Sequence, residues 1–244
     1  MYIDRILLNS PIEESSYLAK LPAVKHLIKE GSLSFKNNVT FFVGENGTGK
    51  STLIEAIAVA FGFNPEGGSK NFSFSTRNSH SDLWQHLTIS KTQFPKDKYF
   101  LRAESFYNVA THIDELDDQP AGSPRVIEGY GGVSLHKQSH GESFMALVQN
   151  RFFGNGIYIL DEPEAALSPG RILTLIAQIN ALVKDNSQFI IATHSPMLLA
   201  FPNADIFEFS EEGIKSIEYQ DCEHYKITRS FLENPERTLK YLLD

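Results

Sequence analysis

Two kinds of apolar run alternate along this chain. Residues 39–43 (Val-Thr-Phe-Phe-Val), 157–160 (Ile-Tyr-Ile-Leu) and 189–192 (Phe-Ile-Ile-Ala) are short and almost wholly apolar, as strands covered on both faces must be. Between them the apolar residues recur at helical spacing. Leu53, Ile54, Ile57, Ala60 and Phe61 trace one face of a helix over 52–61 that stops at Gly62. Residues 22–30 predict a helix with Pro22 in its first turn and Gly31 as its stop signal. Ser168-Pro169 reads as N-cap and first residue of an amphipathic helix running to about residue 183. Strands are expected at 2–8 and 99–103, and a helix at 142–153. Two hairpins are predicted: 32–35 with 39–43 across Lys36-Asn37-Asn38, and 205–210 with 214–219 across Glu211-Glu212-Gly213. Residues 62–82 and 117–134 read as loops, and the chain beyond 219 as mostly helical. Strands alternating with helices in this way mean an α/β fold, a layered mixed sheet flanked by helices.

Composition narrows the class. With 244 residues the chain is long enough for one large domain, with room for a small subdomain. Apolar residues at 41% and charged residues at 21% match ordinary globular usage, which excludes a disordered, collagen-like or coiled-coil chain. No apolar run approaches the roughly 18 residues of a membrane helix. Met1-Tyr2-Ile3-Asp4-Arg5 lacks the basic start and apolar core of a signal peptide. A cytoplasmic protein without membrane insertion is expected. Cys222 is the single cysteine, so neither an internal disulfide nor a cysteine-based zinc site is available. A net charge of −8 disfavours a general nucleic-acid coat. Nucleic acid stays open only through the cluster Lys91, Lys96, Lys98 and Arg102, whose plainer reading is a solvated charged segment.

Gly44-Glu45-Asn46-Gly47-Thr48-Gly49-Lys50-Ser51 fits G-x-x-x-x-G-K-[ST], between a predicted strand and a predicted helix. Glycines let the backbone curl so that successive N–H groups face phosphate oxygens, and the helix that follows aims its positive dipole end there. Asn46, Gly47, Thr48, Gly49, Lys50, Ser51 and Thr52 are therefore the expected nucleotide cradle. Lys50 would neutralise β- and γ-phosphate oxygens, and the Ser51 hydroxyl would ligate Mg²⁺. Further along, the apolar strand 157–160 runs into Asp161-Glu162-Pro163. Carboxylates at the end of a buried parallel strand lie where ligands bind. Asp161 suits the Mg²⁺ role and Glu162 the orientation and deprotonation of an attacking water. Standing alone, the pair would be read as a strand ending in solvated acids.

Three more segments complete a set that resembles the ATP-binding-cassette ATPases. Gln138-Ser139-His140-Gly141-Glu142 looks like their signature, Glu164-Ala165-Ala166-Leu167-Ser168-Pro169 like their D-loop, and Ala192-Thr193-His194-Ser195-Pro196 like their switch-histidine motif. Each is weak by itself; their joint occurrence in the family's order and spacing, over roughly residues 33–209, carries the resemblance. It implies a P-loop NTPase head over 1–244, with a reduced helical subdomain as a small insert around 105–140. It also implies ATP and Mg²⁺ as ligands, and hydrolysis by Lys50, Glu162 and His194. An ATP-sandwiched head-to-tail homodimer would bring Ser139, Gly141 and Glu142 of one copy to the nucleotide of the other. The remaining metal contact, from the Q-loop, falls on Glu104, with Gln93 as the alternative.

Departures from the common pattern matter. Gln138, His140 and Glu142 replace the usual signature residues, and a final glutamate is similar to the branch of SMC and RecF chromosome-maintenance ATPases. Ser168 stands where the D-loop usually has aspartate. The short stretch between Glu104 and Ser139 leaves no room for coiled-coil arms, so the chain resembles small stand-alone bacterial members. Three functions follow. One is a soluble ATPase acting as switch or motor in DNA maintenance, phage defence or regulation, with a protein partner. Another is the nucleotide-binding subunit of an ABC transporter, disfavoured by Glu142 and the short insert. The third is an ATP sensor that does not hydrolyse, against which Glu162 and His194 speak.

Overall fold

A computed structural model describes residues 1–65, 81–102, 106–117 and 125–243. Strand β1 (Ile3–Leu8) leads into helix α1 (Pro22–Glu30), β2 (Ser32–Ser34), β3 (Val39–Gly44) and α2 (Lys50–Phe61). Strands β4 (Leu87–Lys91) and β5 (Asp97–Arg102) follow, then α3 (Phe106–Asp117), α4 (His140–Arg151), β6 (Gly156–Asp161) and α5 (Pro169–Lys184). The rest is β7 (Gln188–Ala192), α6 (Pro196–Leu199), β8 (Asp205–Ser210), β9 (Gly213–Ser216), α7 (Glu223–Glu233) and α8 (Pro235–Leu243).

The strands form two sheets. The six-stranded sheet has the order β5-β6-β7-β3-β8-β9, parallel throughout except for β9, which pairs antiparallel with β8. The three-stranded sheet, order β2-β1-β4, is antiparallel. The continuous apolar run of β3 now has its reason. Phe41 and Val43 face one core with α3, α4 and α5, while Phe42 faces a second core with α1, α2 and the small sheet. Both faces of the central sheet are covered along β3, which favours apolar residues on each of them.

The expected hairpin between 32–35 and 39–43 is corrected: β2 and β3 belong to different sheets. Asp205 supplies the physical cause. Its carboxylate accepts the backbone N–H groups of Lys36 (2.6 Å) and Asn37 (2.9 Å) and the Asn37 side-chain amide (2.8 Å). The link is thereby drawn across to β8 instead of closing on itself. The second predicted hairpin is present as β8–β9.

The insert before α4 is small. Phe106, Val109, Ala110 and Ile113 of α3 pack with Ile127, Tyr130 and Leu135 onto Phe144 and Leu147 of α4. Residues 126–130, expected as loop, form a 3-10 turn whose Val126 and Ile127 N–H groups are held by the Asp117 carboxylate (2.5 and 3.0 Å). Most of the predicted 62–82 loop, and Glu104, lie outside the described residues.

Candidate active site

The phosphate loop joins β3 to α2 at the C-terminal edge of the central sheet. Gly44, Gly47 and Gly49 take φ of 136°, 84° and 97°, the left-handed region in which only glycine is unstrained. At Gly49 the chain turns directly into α2, whose first residue is Lys50. The Lys50 ammonium donates to the carbonyls of Gly44 and Glu45, both at 2.6 Å, and so lies folded over its own loop. Burial pushes its pKa below the ordinary lysine range, against the opposing pull of Glu162, Asp161 and Glu45. The Thr48 hydroxyl donates to the Glu45 carbonyl (2.8 Å), closing the loop.

Strand pairing brings the acidic pair beside it. The Ser51 hydroxyl is 3.4 Å from Asp161 Oδ1. Glu162 sits at φ 52°, ψ 51°, in the left-handed region, with its N–H donated to the Ala192 carbonyl at 3.0 Å. That conformation costs a non-glycine residue about 1–3 kcal/mol. It bends the chain off the strand axis and leaves Glu162 Oε1 3.5 Å from His194 Nε2. His194 follows β7. Its N–H donates to Glu164 Oε1 (2.5 Å), and its Nδ1 lies 3.0 Å from Nε2 of His224 on α7.

Two further side chains complete this edge. Arg102, level with Asp161 in the β5–β6 register, pairs with Glu55 of α2 at 2.6 Å and places Nε 3.7 Å from Asp161 Oδ2. It therefore belongs to the site and not to a basic patch. Lys91 and Lys98 are also engaged: they donate to the Phe61 and Gly62 carbonyls (3.4 and 2.7 Å) at the negative end of α2.

The signature residues form a separate group. Ser139 caps α4 in a reciprocal box, its N–H and hydroxyl donating to Glu142 Oε2 at 3.0 and 2.7 Å. These two bonds, with Arg171 close by, lower the Glu142 pKa. Gly141 packs so closely that a methyl there would meet Arg171 Nη1 at 2.3 Å and the Ala166 carbonyl at 2.9 Å. Among the described residues, none of the three bonds to the phosphate loop of the same chain. Gln93 is not brought to the site either: it donates to the Met1 carbonyl (3.2 Å), next to Tyr2 and Ile3, which are tied to the opposite end of the central sheet by Gln188.

Comparison with known proteins points to ATPases. An AAA domain model matches residues 24–118. A protein of Pyrococcus furiosus named as an ABC transporter ATP-binding protein is 25% identical, over 90% of this chain and 93% of its own. The chain is an ATPase, similar to those of the ATP-binding-cassette type. The ATPase is also 28% identical to the guanosine import ATP-binding protein NupO of Bacillus subtilis, over 64% of this chain and 32% of that one. Its fold matches cbiO1 of Clostridium perfringens, part of an ABC transporter complex, over 100% of this chain and 99% of the other, with 14% identity and a TM-score of 0.51.

Three residues of this candidate site carry no signal in the sequence. Glu55 and Arg102 meet only through the pairing of β5 with β6 and the packing of α2. His224 stands alone on an amphipathic helix, with no local pattern to single it out. Glu164 was read within the D-loop resemblance, but its bond to the His194 backbone was not.

Proposed function

We propose that this ATPase hydrolyses Mg²⁺-ATP in a head-to-tail homodimer and uses closure and opening of that dimer as a cytoplasmic switch on a protein partner. The described chain would act as a single ATPase domain, with 105–140 as its insert. The observation that carries the reading is the placement of Glu162. Its strained backbone holds the carboxylate against His194, at the sheet edge that also presents Lys50. In this reading Glu162 orients the attacking water and takes its proton, and His194 and Lys50 hold γ-phosphate oxygens as negative charge shifts. Backbone N–H groups from Asn46 to Thr52 cradle the other phosphates.

Among the described residues no cluster of three His, Cys, Asp or Glu side chains stands ready to hold a metal alone. The Ser51–Asp161 pair nevertheless fits Mg²⁺, a hard cation that takes one or two protein oxygens and completes its shell with phosphate and water. When bound, Mg²⁺ supplies charge neutralisation between β- and γ-phosphates. Glu104, outside the described residues, would be the Q-loop residue in this reading. Ser139, Gly141 and Glu142, with the N-terminus of α4, would serve the second copy's nucleotide, consistent with their separation from the phosphate loop within one chain.

The test is Glu162→Gln. Phosphate release is expected to fall by roughly 10²–10⁴-fold, the usual contribution of a general base. ATP should still bind and hold the variant as a dimer by light scattering. Normal turnover would remove Glu162 from its role, and a monomer in ATP would overturn the dimer.

The names of the two relatives favour a second reading, a transporter's nucleotide-binding subunit. Turnover that appears only with a detergent-solubilised membrane partner would decide for it. DNA maintenance, phage defence and regulation remain the candidate processes for the soluble switch. The engagement of Lys91, Lys98 and Arg102 weakens the one basic cluster that pointed to nucleic acid.

A further inference from the structure

The His194 ring has a partner on each nitrogen. Nε2 faces Glu162 Oε1 at 3.5 Å, and Nδ1 faces His224 Nε2 at 3.0 Å. The two rings lie 5.1 Å apart, inclined at 47°. The remaining nitrogen of His224, Nδ1, is buried and has no hydrogen-bond partner among the described residues. Helix α7 is held in place here by the wholly buried Cys222 at its N-cap and by the Tyr219 and Tyr225 rings, 4.5 Å apart.

These contacts permit one sensible arrangement of protons. An ionised carboxylate only accepts, so the His194 nitrogen facing Glu162 carries hydrogen. In a neutral ring the other nitrogen, Nδ1, is then a bare acceptor and needs a donor. His224 Nε2–H is the group facing it. The bare nitrogen of His224 is in turn the buried Nδ1, an acceptor left without a donor. In the reverse order, a His194 lone pair would face a carboxylate and a His224 N–H would be buried with nothing to accept it. Both changes are unfavourable. Burial, with His194 and Lys50 nearby, lowers the His224 pKa, consistent with a neutral ring.

We propose that His224 is a positioning residue for ATP hydrolysis. Its Nε2–H holds His194 as the Nε2–H tautomer and aims that N–H at Glu162 and the γ-phosphate position. The inference rests on the roles proposed above for Glu162 and His194. It places the C-terminal helix α7 in direct contact with the catalytic edge, so any displacement of α7 removes the donor that orients His194.

The test uses the full chain and four substitutions at three positions. Long-range proton–nitrogen spectra of the wild type should show His194 as the Nε2–H tautomer, its signals identified by their loss in His194→Gln. His224→Phe keeps the bulk but removes the donor, and should give a tautomer mixture. It should also lower kcat by about tenfold, within the range for a partner that orients a functional histidine, with KM for ATP changed less than about twofold. His224→Gln restores an N–H at similar reach and should recover both the tautomer and most of kcat. A wild-type Nδ1–H tautomer, unchanged kcat in His224→Phe, or equal losses in the Phe and Gln variants would overturn the proposal. Full turnover in both Glu162→Gln and His194→Gln would instead overturn the underlying site reading, and the spectra would then decide the tautomer claim alone.

Discussion

Gly44 shows how tightly one residue can be constrained. It ends β3 at φ +136°, and a methyl group there would stand 2.1 Å from the Phe209 carbonyl oxygen of the paired strand β8. Neither the dihedral nor the contact can be relieved by a side-chain rotation, because the obstacle is backbone. Gly44→Ala is expected to destabilise the fold by about 2–4 kcal/mol, read as a lower denaturation midpoint, and to weaken ATP binding. Gly47→Ala provides the comparison. It carries φ +84° but meets nothing within 4 Å, so only the backbone cost of about 1–2 kcal/mol applies. Equal losses in the two would show that the β8 contact is unimportant. Glu162 is the opposite case: a non-glycine residue kept at positive φ, where the bond to Ala192 and the packing around it hold the strain in place.

The elements were largely readable because their ends carry local chemistry. Pro22 and Gly31 bound α1, Ser168-Pro169 opens α5, and each matches the structure. Helix α4 begins at His140, two residues before its expected start, since the Ser139–Glu142 box recruits the turn between them. Ser139→Ala should therefore cost about 1 kcal/mol in unfolding free energy from the lost cap alone. If Ser139 serves the second nucleotide of the proposed dimer, the substitution should also lower ATP turnover by more than that cap explains. A variant that loses stability but keeps full turnover would confine Ser139 to capping. Other elements had no such signal. Strand β4 alternates apolar and polar residues, but its five residues hold only Leu87 and Ile89 as apolar positions, too short a pattern to single it out. Its existence depends on pairing with β1.

At the scale of the molecule the two sheets must be tied together, and a buried glutamine does so. Gln188, wholly buried at the start of β7, accepts the N–H groups of Tyr2 (2.6 Å) and Ile3 (2.8 Å) and donates to the Ile3 carbonyl (2.8 Å). Gln188→Leu would bury three backbone polar groups without partners, each worth about 1–3 kcal/mol. A loss of about 3 kcal/mol or more is expected in chemical unfolding, with early hydrogen exchange at β1. A loss below about 1 kcal/mol would show that the N-terminal strand is anchored by its apolar contacts alone.

Much of this protein was legible in its residues taken in order. Short apolar runs, glycines at φ-demanding positions, helix caps and the acidic pair after 157–160 all act within a few residues, so a window of sequence contains their physics. That was enough for the α/β class, the phosphate loop and the order of the motifs. The strand order β5-β6-β7-β3-β8-β9 was not available in this way, nor the separation of β2 from β3. The same holds for the contacts Arg102–Glu55–Asp161, Gln188–Ile3 and His194–His224. Each joins residues distant in the chain and depends on which strands pair and where side chains point afterwards. Only the folded chain, satisfying its buried polar groups all at once, decides between the partners.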